Sequence, residues 1–154
     1  VPMGVVAVKE EIYEAVMDAS PKGAVELFHG YTYSGIPIAV AAALAVQNIF
    51  DKEDIFKRSK EMSPYFLDGI FSLKDLSGVD NIRGYGMMAG IDMKLKEKPG
   101  RAGFECFKAC YDAGINFKAT GDCLIIAPQF ICEKKHIDEI IEKLRTGISN
   151  YMKK

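Results

Sequence analysis

A long, alanine-rich apolar segment is the feature that most restricts the fold of this 154-residue chain. It extends from Pro37 to about Phe50, and on a helix its residues leave no continuous polar face. Helices at the surface of a small domain keep one polar side, whereas helices that are apolar all round are buried inside larger structures. The segment therefore predicts a helix that is packed within more protein than a single small domain provides.

Just before this helix, the segment 29–37 has the composition of a phosphate-binding turn. Gly30 and Gly35 let the backbone pass close to a ligand, and the hydroxyl groups of Thr32 and Ser34 can donate hydrogen bonds to phosphate oxygens. A helix that starts near Ser34 would add unpaired N–H groups at its positive end. On local features alone, a polar loop that caps a buried helix explains the same residues.

Charge and hydropathy exclude several classes of partner. Lys and Arg total 20 against 21 Asp and Glu, so a net charge of -1 provides no field that would attract nucleic acid or an anionic membrane. The longest apolar run, Ile36 to Val46, is about half of the roughly 20 residues that cross a bilayer. The sequence lacks the basic segment followed by an apolar core that would indicate a signal peptide. We therefore expect a soluble, cytoplasmic protein that binds neither nucleic acid nor a membrane.

The four cysteines do not form the pattern of a disulfide framework or of a structural zinc site. Their spacing is irregular, and only Cys106 and Cys110 share a helix face. Buried, reduced thiols are the expected state, and no metal site is predicted.

The order of the predicted elements indicates an α+β layer over the second part of the chain. A short strand over Val5–Val8 and a helix over Glu10–Met17 come first, upstream of the phosphate-binding turn. Hydrophobic periodicity then predicts helix, two strands, helix, two strands and helix, over Asp51–Leu73, Val79–Tyr85, Met88–Leu95, Phe104–Ala113, Ile115–Lys118, Leu124–Ile126 and Lys134–Met152. Such an order is typical of helices packed on an antiparallel sheet.

Several short motifs resemble those of the class-III pyridoxal phosphate-dependent aminotransferases, most closely the omega-amino acid (β-alanine)–pyruvate branch. The matching segments, whose order and spacing both fit, are Val1–Gly4, His29–Pro37, Arg83–Asp92, Lys118–Asp122 and Ile126–Pro128. The resemblance covers essentially the whole chain.

The resemblance implies an α/β fold of the fold type I, pyridoxal phosphate-dependent transferase type. Residues 1–50 would be the end of the large cofactor-binding domain, and residues 51–154 the small C-terminal α+β domain. The cofactor would be pyridoxal 5'-phosphate, and the substrates an amino donor and a keto acid. The lysine that forms the internal Schiff base would lie upstream of Val1, so no catalytic residue is assigned and this chain alone is expected to be inactive.

For the cofactor phosphate, the resemblance implies a hydrogen bond from the Thr32 hydroxyl and a second one from the Tyr31 backbone N–H. Both groups would reach into the active site of the neighbouring subunit. The protein is therefore expected to be a homodimer with shared active sites.

Lys118 stands where omega-amino acid transaminases usually carry an arginine that binds the substrate carboxylate. Lysine keeps the positive charge but lacks the planar pair of donors. We therefore expect Lys118 to bind substrate with weaker or altered carboxylate recognition. A lysine exposed on a hairpin edge explains the residue equally well.

Two functions from different classes are compatible with the sequence. The chain is either the C-terminal part of an aminotransferase that transfers an amino group from an omega-amino acid or amine to pyruvate, or a stand-alone α+β module that binds a ligand or partner and has kept only the fold. A lysine shortly before Val1 would favour the enzyme.

Overall fold

A computed structural model describes residues 1–23, 30, 32–94 and 98–153. The chain divides into two compact units, Val1–Lys52 and Glu53–Lys154. The boundary lies two residues from the predicted one. That the units are the end of a large domain and a small C-terminal domain stays a prediction.

The described residues of the first unit form two helices, α1 (Glu10–Ala19) and α2 (Pro37–Lys52). The predicted strand over Val5–Val8 is wrong, because these residues pair with no strand in the part of the chain that the structure describes. An apolar alternation becomes a strand only where a neighbouring strand accepts its backbone hydrogen bonds.

Helix α2 begins at Pro37, where the alanine-rich segment predicted it, and not near Ser34. Proline suits the first helical position because its φ is preset and the missing N–H would be unpaired there anyway. Gly35 has a φ of 69°, which ends the preceding turn in a left-handed conformation. Within α2 the buried residue is Ala39, while Ile38, Leu44, Val46 and Ile49 are between 46% and 67% exposed. The apolar faces of this helix are thus uncovered in the described structure.

In the second unit, residues 53–94 and 98–153 form three helices and four strands. The helices are α3 (Ile55–Phe71), α4 (Ala102–Asp112) and α5 (Lys134–Lys153), and the strands are β1 (Val79–Tyr85), β2 (Met88–Met93), β3 (Lys118–Thr120) and β4 (Cys123–Ile126). Helix α3 begins later than the predicted Asp51, because Asp54 adopts a φ of 48° and separates it from α2.

Strand β3 starts at Lys118 and not at the predicted Ile115, because Ile115 belongs to the end of helix α4. Gly114, with a φ of 87°, donates its N–H to the Tyr111 carbonyl at 2.9 Å, and Ile115 donates to the Cys110 carbonyl at 3.1 Å. This pair of hydrogen bonds is the Schellman motif, which ends a helix. The backbone N–H group of Ile115 is therefore not available for pairing with a strand.

The four strands form one antiparallel sheet in the order β1-β2-β4-β3. The β1–β2 and β3–β4 hairpins each turn over two residues that begin with a glycine at positive φ, Gly86 (59°) and Gly121 (57°). Glycine at that position is what a type II′ hairpin turn requires.

Helices α3 and α4 contact the strands, α5 packs on α3 and α4, and the sheet face that shares a core with these helices is called the inward face below. Side chains of that face and of the helices form the core, including Phe66, Ile70, Ile91, Cys106, Leu124, Leu144 and Ile148, all of them fully buried. The predicted apolar stripes of α3 and α5 are confirmed: Ile55, Ile70, Ile137 and Leu144 are buried, and Met62, Ile140 and Ile141 are partly buried against the core.

Candidate active site

The predicted phosphate-binding turn occupies residues 32–35 and leads directly into helix α2. Thr32 and Ser34 are exposed in this turn. The N–H groups of the first helical turn point toward the same end of the helix, because they lack carbonyl partners within it. Tyr31, the other predicted phosphate ligand, lies outside the described residues.

This donor set fits a phosphate group. Two hydroxyl groups and the first N–H groups of a 16-residue helix are neutral donors at the positive end of the helix dipole. A Cβ added at Gly35 would meet no atom within 4 Å, so the backbone there is open to a ligand. These residues would hold the phosphate of pyridoxal phosphate, and they fit that part of the cofactor only.

Lys118 is the first residue of strand β3, at the edge of the sheet, where it is exposed and pairs with Ile125 of β4. Its neighbour Ala119 packs against the core. Because strand residues alternate between faces, Lys118 belongs to the opposite, outward face. The structure thus places Lys118 on a sheet face that no helix of its own unit covers in the described residues.

On that outward face, one transverse row connects all four strands. Arg83 pairs with Gly90, Gly90 with Ile125, and Ile125 with Lys118. Arg83 and Lys118 therefore stand at the two ends of a single row, with about 14 Å between their Cα atoms for three strand spacings. The row directly beside it contains Asp92, Cys123 and Thr120.

The Arg83 side chain lies across the row toward the other strands. Its Nη1 donates a hydrogen bond to Asp92 Oδ2, and its Nη2 lies 3.4 Å from Cys123 Sγ on β4. Gly90 makes this path possible, because a Cβ there would stand 3.4 Å from Arg83 Cζ and 3.2 Å from Cys123 Sγ. A larger residue at position 90 would push the guanidinium away from the sheet.

At neutral pH, Arg83 and Asp92 are charged and Cys123 is a neutral thiol. The hydrogen bond to Asp92 raises the pKa of Arg83 further above its usual value. Partial burial raises the pKa of Asp92, but the hydrogen bonds from Arg83 and Cys123 outweigh it, so the pKa lies below its usual value. Burial and the neighbouring Asp92 raise the pKa of Cys123, which keeps it a thiol. The Arg83 guanidinium is thus paired with the Asp92 carboxylate, and Lys118 stands at the far end of the row.

A groove of about 700 Å³ lies on this face. Its lining includes Arg83, Tyr85, Met88, Thr120, Cys123 and Ile125. Tyr85 and Met88 are 91% and 58% exposed, unusual values for such large apolar side chains. The groove thus combines apolar walls with a guanidinium that is already paired with Asp92.

Asp122 fixes the β3–β4 hairpin against helix α4. Its carboxylate accepts hydrogen bonds from the backbone N–H groups of Gly100 at 2.7 Å and Ala102 at 2.9 Å, at the start of that helix. Gly103 packs directly on the hairpin, because a Cβ there would stand 2.4 Å from the Gly121 carbonyl oxygen. The Gly-Asp turn therefore determines where Lys118 and Thr120 stand relative to the helical layer.

Sequence reasoning did not select Arg83, Asp92, Cys123 or Thr120 as site residues. Arg83, Asp92 and Thr120 lie in segments that carry the family resemblance, Arg83–Asp92 and Lys118–Asp122. The signal that could have found them is the two-residue alternation around Gly86, which places Arg83 opposite Gly90 once a two-residue turn is assumed. The pairing of β2 with β4, across an intervening helix, gives no comparable local signal.

Two further features bear on partners. Cys106 and Cys110 are buried free thiols, and among the described residues no three His, Cys, Asp or Glu side chains come together to hold a metal ion. The described helices include none that is long and apolar enough to cross a membrane.

Comparison with solved structures defines the fold as that of the fold type I transaminases. A transaminase in complex with L-alanine superimposes with a TM-score of 0.81 at 24% identity, over 95% of this chain and 36% of that one. The adenosylmethionine-8-amino-7-oxononanoate aminotransferase of Methanocaldococcus jannaschii gives 0.77 at 28% identity, over 92% of this chain and 34% of the other. The predicted fold class is thereby confirmed.

Residues 1–148 match the class-III aminotransferase family, and the chain belongs to it. An omega-aminotransferase of Caulobacter vibrioides is 39% identical over 94% of this chain and 33% of its own length. A beta-alanine–pyruvate aminotransferase of Pseudomonas aeruginosa is 33% identical over 97% of this chain and 34% of its own length. The predicted family is confirmed, and its members use pyridoxal phosphate, a cofactor that one solved relative, from Pseudomonas jessenii, contains in its amino form. The chain spans about a third of the length of these relatives.

Proposed function

We propose that the full-length protein containing this chain is an aminotransferase that moves an amino group from an omega-amino acid or amine to pyruvate. The observation that carries the proposal is the family match over residues 1–148, together with relatives named for omega-amino acid and beta-alanine–pyruvate transfer. When bound, pyridoxal phosphate supplies the electron sink for such a transfer. The pyruvate acceptor, the dimer and the cytoplasmic location are parts of this proposal.

In this proposal the turn before α2 holds the phosphate of the cofactor. The Thr32 hydroxyl donates one hydrogen bond and the Tyr31 N–H another, and both are contributed to the active site of the neighbouring subunit. Neutral donors at a helix start bind a phosphate without a nearby cation. The open backbone at Gly35 supports this role.

Lys118 is proposed to bind the substrate carboxylate from the edge of the sheet. Its exposure and its position beside Ile125 on the outward face leave the ammonium group accessible to a small anion. An ammonium group attracts a carboxylate as a point charge and does not fix its plane.

The test uses the full-length protein loaded with pyridoxal phosphate. Incubation with β-alanine and pyruvate should yield alanine, and the cofactor should be retained on gel filtration. Thr32→Val removes the hydroxyl while keeping the shape of the side chain, and should weaken cofactor binding by about tenfold. Thr32→Ser, which keeps the hydroxyl, is the matched control and should bind almost normally.

The alternative is a non-catalytic ligand-binding or interaction module. A full-length protein that neither retains the cofactor nor forms alanine would favour the module. Equal cofactor affinity in the Thr32→Val and wild-type proteins would remove Thr32 from the proposed phosphate site, whatever the activity.

A further inference from the structure

We propose that the groove between helices α3 and α5 is a docking surface for a basic amphipathic helix of another protein. This inference goes beyond the proposed function, because the groove is lined by residues of these two helices and shares none of them with the groove on the sheet.

The floor of the α3–α5 groove is apolar. The groove has a volume of about 480 Å³, and its floor consists of Gly69 on α3 and of Ile137 and Ile141 on α5. A Cβ at Gly69 would stand 3.0 Å from Ile141 Cγ1 and 4.0 Å from Ile137 Cγ2. The missing side chain at Gly69 therefore leaves a notch above these two isoleucines, and the notch has room for an apolar side chain from outside.

The rim of the groove is acidic. Asp68, Asp138 and Glu142 line it together with one cation, Arg145, so three carboxylates against one guanidinium leave a net charge of -2. In the described part of this unit, no salt bridge includes Asp68 or Glu142. Two carboxylates are thus available to a cationic partner.

The two ends of the groove are fixed by contacts between the helices. At one end the Tyr65 hydroxyl donates a hydrogen bond to Asp138 Oδ1 at 2.5 Å. At the other end Arg145 Nη2 donates to the carbonyl and the Oγ of Ser72, at 3.3 and 3.2 Å, where α3 ends. These contacts hold α3 and α5 together, so the groove is formed before a partner arrives.

The spacing of the lining residues suits a helix. Tyr65 and Gly69 are four residues apart on α3, and Ile137 and Ile141 are four residues apart on α5, so each helix contributes one turn of an apolar row. A third helix with apolar residues at i and i+4 matches this repeat, as in other complexes in which an amphipathic helix fills a groove.

Charge complementarity selects the sign of the partner. Lysine or arginine beside the apolar residues of the docked helix would meet Asp68 and Glu142. The exposed amphipathic helix α1 of a second copy does not suit the groove, because Glu10–Ala19 contains four carboxylates and no cation. We therefore assign the groove to a basic helix of a different protein.

The binding test uses the full-length protein and a fluorescently labelled helical peptide of leucine and lysine, with leucine at i and i+4. Fluorescence anisotropy should show binding of this peptide and none of its leucine–glutamate counterpart. The Asp68→Asn, Glu142→Gln double variant should bind the lysine peptide about fivefold more weakly. The Asp80→Asn, Asp112→Asn double variant, which changes the net charge equally outside the groove, should bind it like the wild type.

A second peptide tests the apolar floor. Replacing its leucines by alanine keeps every lysine and should weaken binding by about tenfold, because the notch above Ile137 and Ile141 is then left unfilled. Equal binding of the leucine and alanine peptides would overturn the inference, since attraction between charges alone would then explain the binding. Equal weakening in the two double variants would overturn it as well.

Two further measurements identify the place and the occupant. Hydrogen exchange should slow over residues 65–69 and 137–142 when the lysine peptide is bound, and slowing elsewhere would contradict the inference. Sedimentation of the protein without peptide should give the same oligomeric state for the wild type and the Asp68→Asn, Glu142→Gln variant. If the variant alone dissociates, a second copy occupies the groove and the inference is wrong.

Discussion

Gly147 of α5 lies directly against Cys110 of α4, so that a Cβ at Gly147 would stand 2.5 Å from Cys110 Sγ and 2.6 Å from its Cα. Because one of these atoms is backbone, the clash cannot be relieved by turning a side chain. The absence of a side chain at Gly147 therefore determines how closely α4 and α5 approach.

We expect Gly147→Ala to destabilise the protein by about 2 kcal/mol, the usual range for overpacking a close contact. Alanine in place of glycine would favour the helix by up to about 1 kcal/mol, and the clash outweighs that gain. Urea unfolding followed by circular dichroism measures the difference. Gly69→Ala on α3 is the control, because its new Cβ would meet side chains only, Ile141 at 3.0 Å and Ile137 at 4.0 Å, which can shift. A Gly147→Ala variant as stable as Gly69→Ala would show that the helices separate without cost.

Asp122 should contribute to stability as a remote N-terminal cap of α4. Asp122→Ala leaves the Gly100 and Ala102 N–H groups without their carboxylate acceptor and should cost about 1 to 2 kcal/mol. Asp122→Asn retains one acceptor oxygen and should lose roughly half as much. Thermal melting of the two variants side by side provides the measurement, and equal melting temperatures for Asp122→Ala and wild type would count against the cap.

The Arg83–Asp92 ion pair should contribute to the free energy of unfolding only above acidic pH. The folded-state pKa of Asp92 is lowered from the usual 3.8, so the stabilisation is complete above the unfolded-state pKa and is lost as the pH falls through the lower, folded-state value. Both side chains are partly exposed, which limits the effect to about 1 kcal/mol or less. The measurement is the difference in unfolding free energy between wild type and Asp92→Asn from pH 7 to pH 2. If this difference in unfolding free energy disappears between pH 7 and pH 5, a group other than Asp92 is its cause.

Lys118→Arg should restore the planar fork at the edge of the sheet and lower the KM for pyruvate by about tenfold in the full-length enzyme. Lys118→Gln removes the charge and should raise the same KM. The KM for acetaldehyde, which has no carboxylate, should be unchanged in both variants. If the arginine variant binds pyruvate no better than wild type, Lys118 is an exposed edge lysine without a role in recognition.

Local sequence signals predicted the elements that depend on local chemistry. The stripes of α3 and α5 follow from apolar spacing, and the bounds of β1 were predicted exactly as they occur because the turn glycine and the apolar alternation agree there. The prediction failed where a neighbouring element competes for the same backbone. Val5–Val8 has no strand partner, and Ile115 closes helix α4 before it could enter β3.

The candidate site was predictable only in part, because it depends on residues far apart in the chain. Thr32 and Lys118 could be proposed from motifs that are continuous in sequence. Arg83 and Lys118 belong to one row only because β2 and β4 pair across helix α4, and the alternation of a single strand contains no information about that pairing.

The exposed apolar residues of helix α2 have a consequence for the folding of this chain. The side chains of Ile38, Leu44 and Ile49 form an exposed apolar surface on this helix. Chains that expose such a surface aggregate or are bound by chaperones. The turn over residues 32–35 leads directly into this helix, so a chain that aggregates through α2 would lose the turn as well.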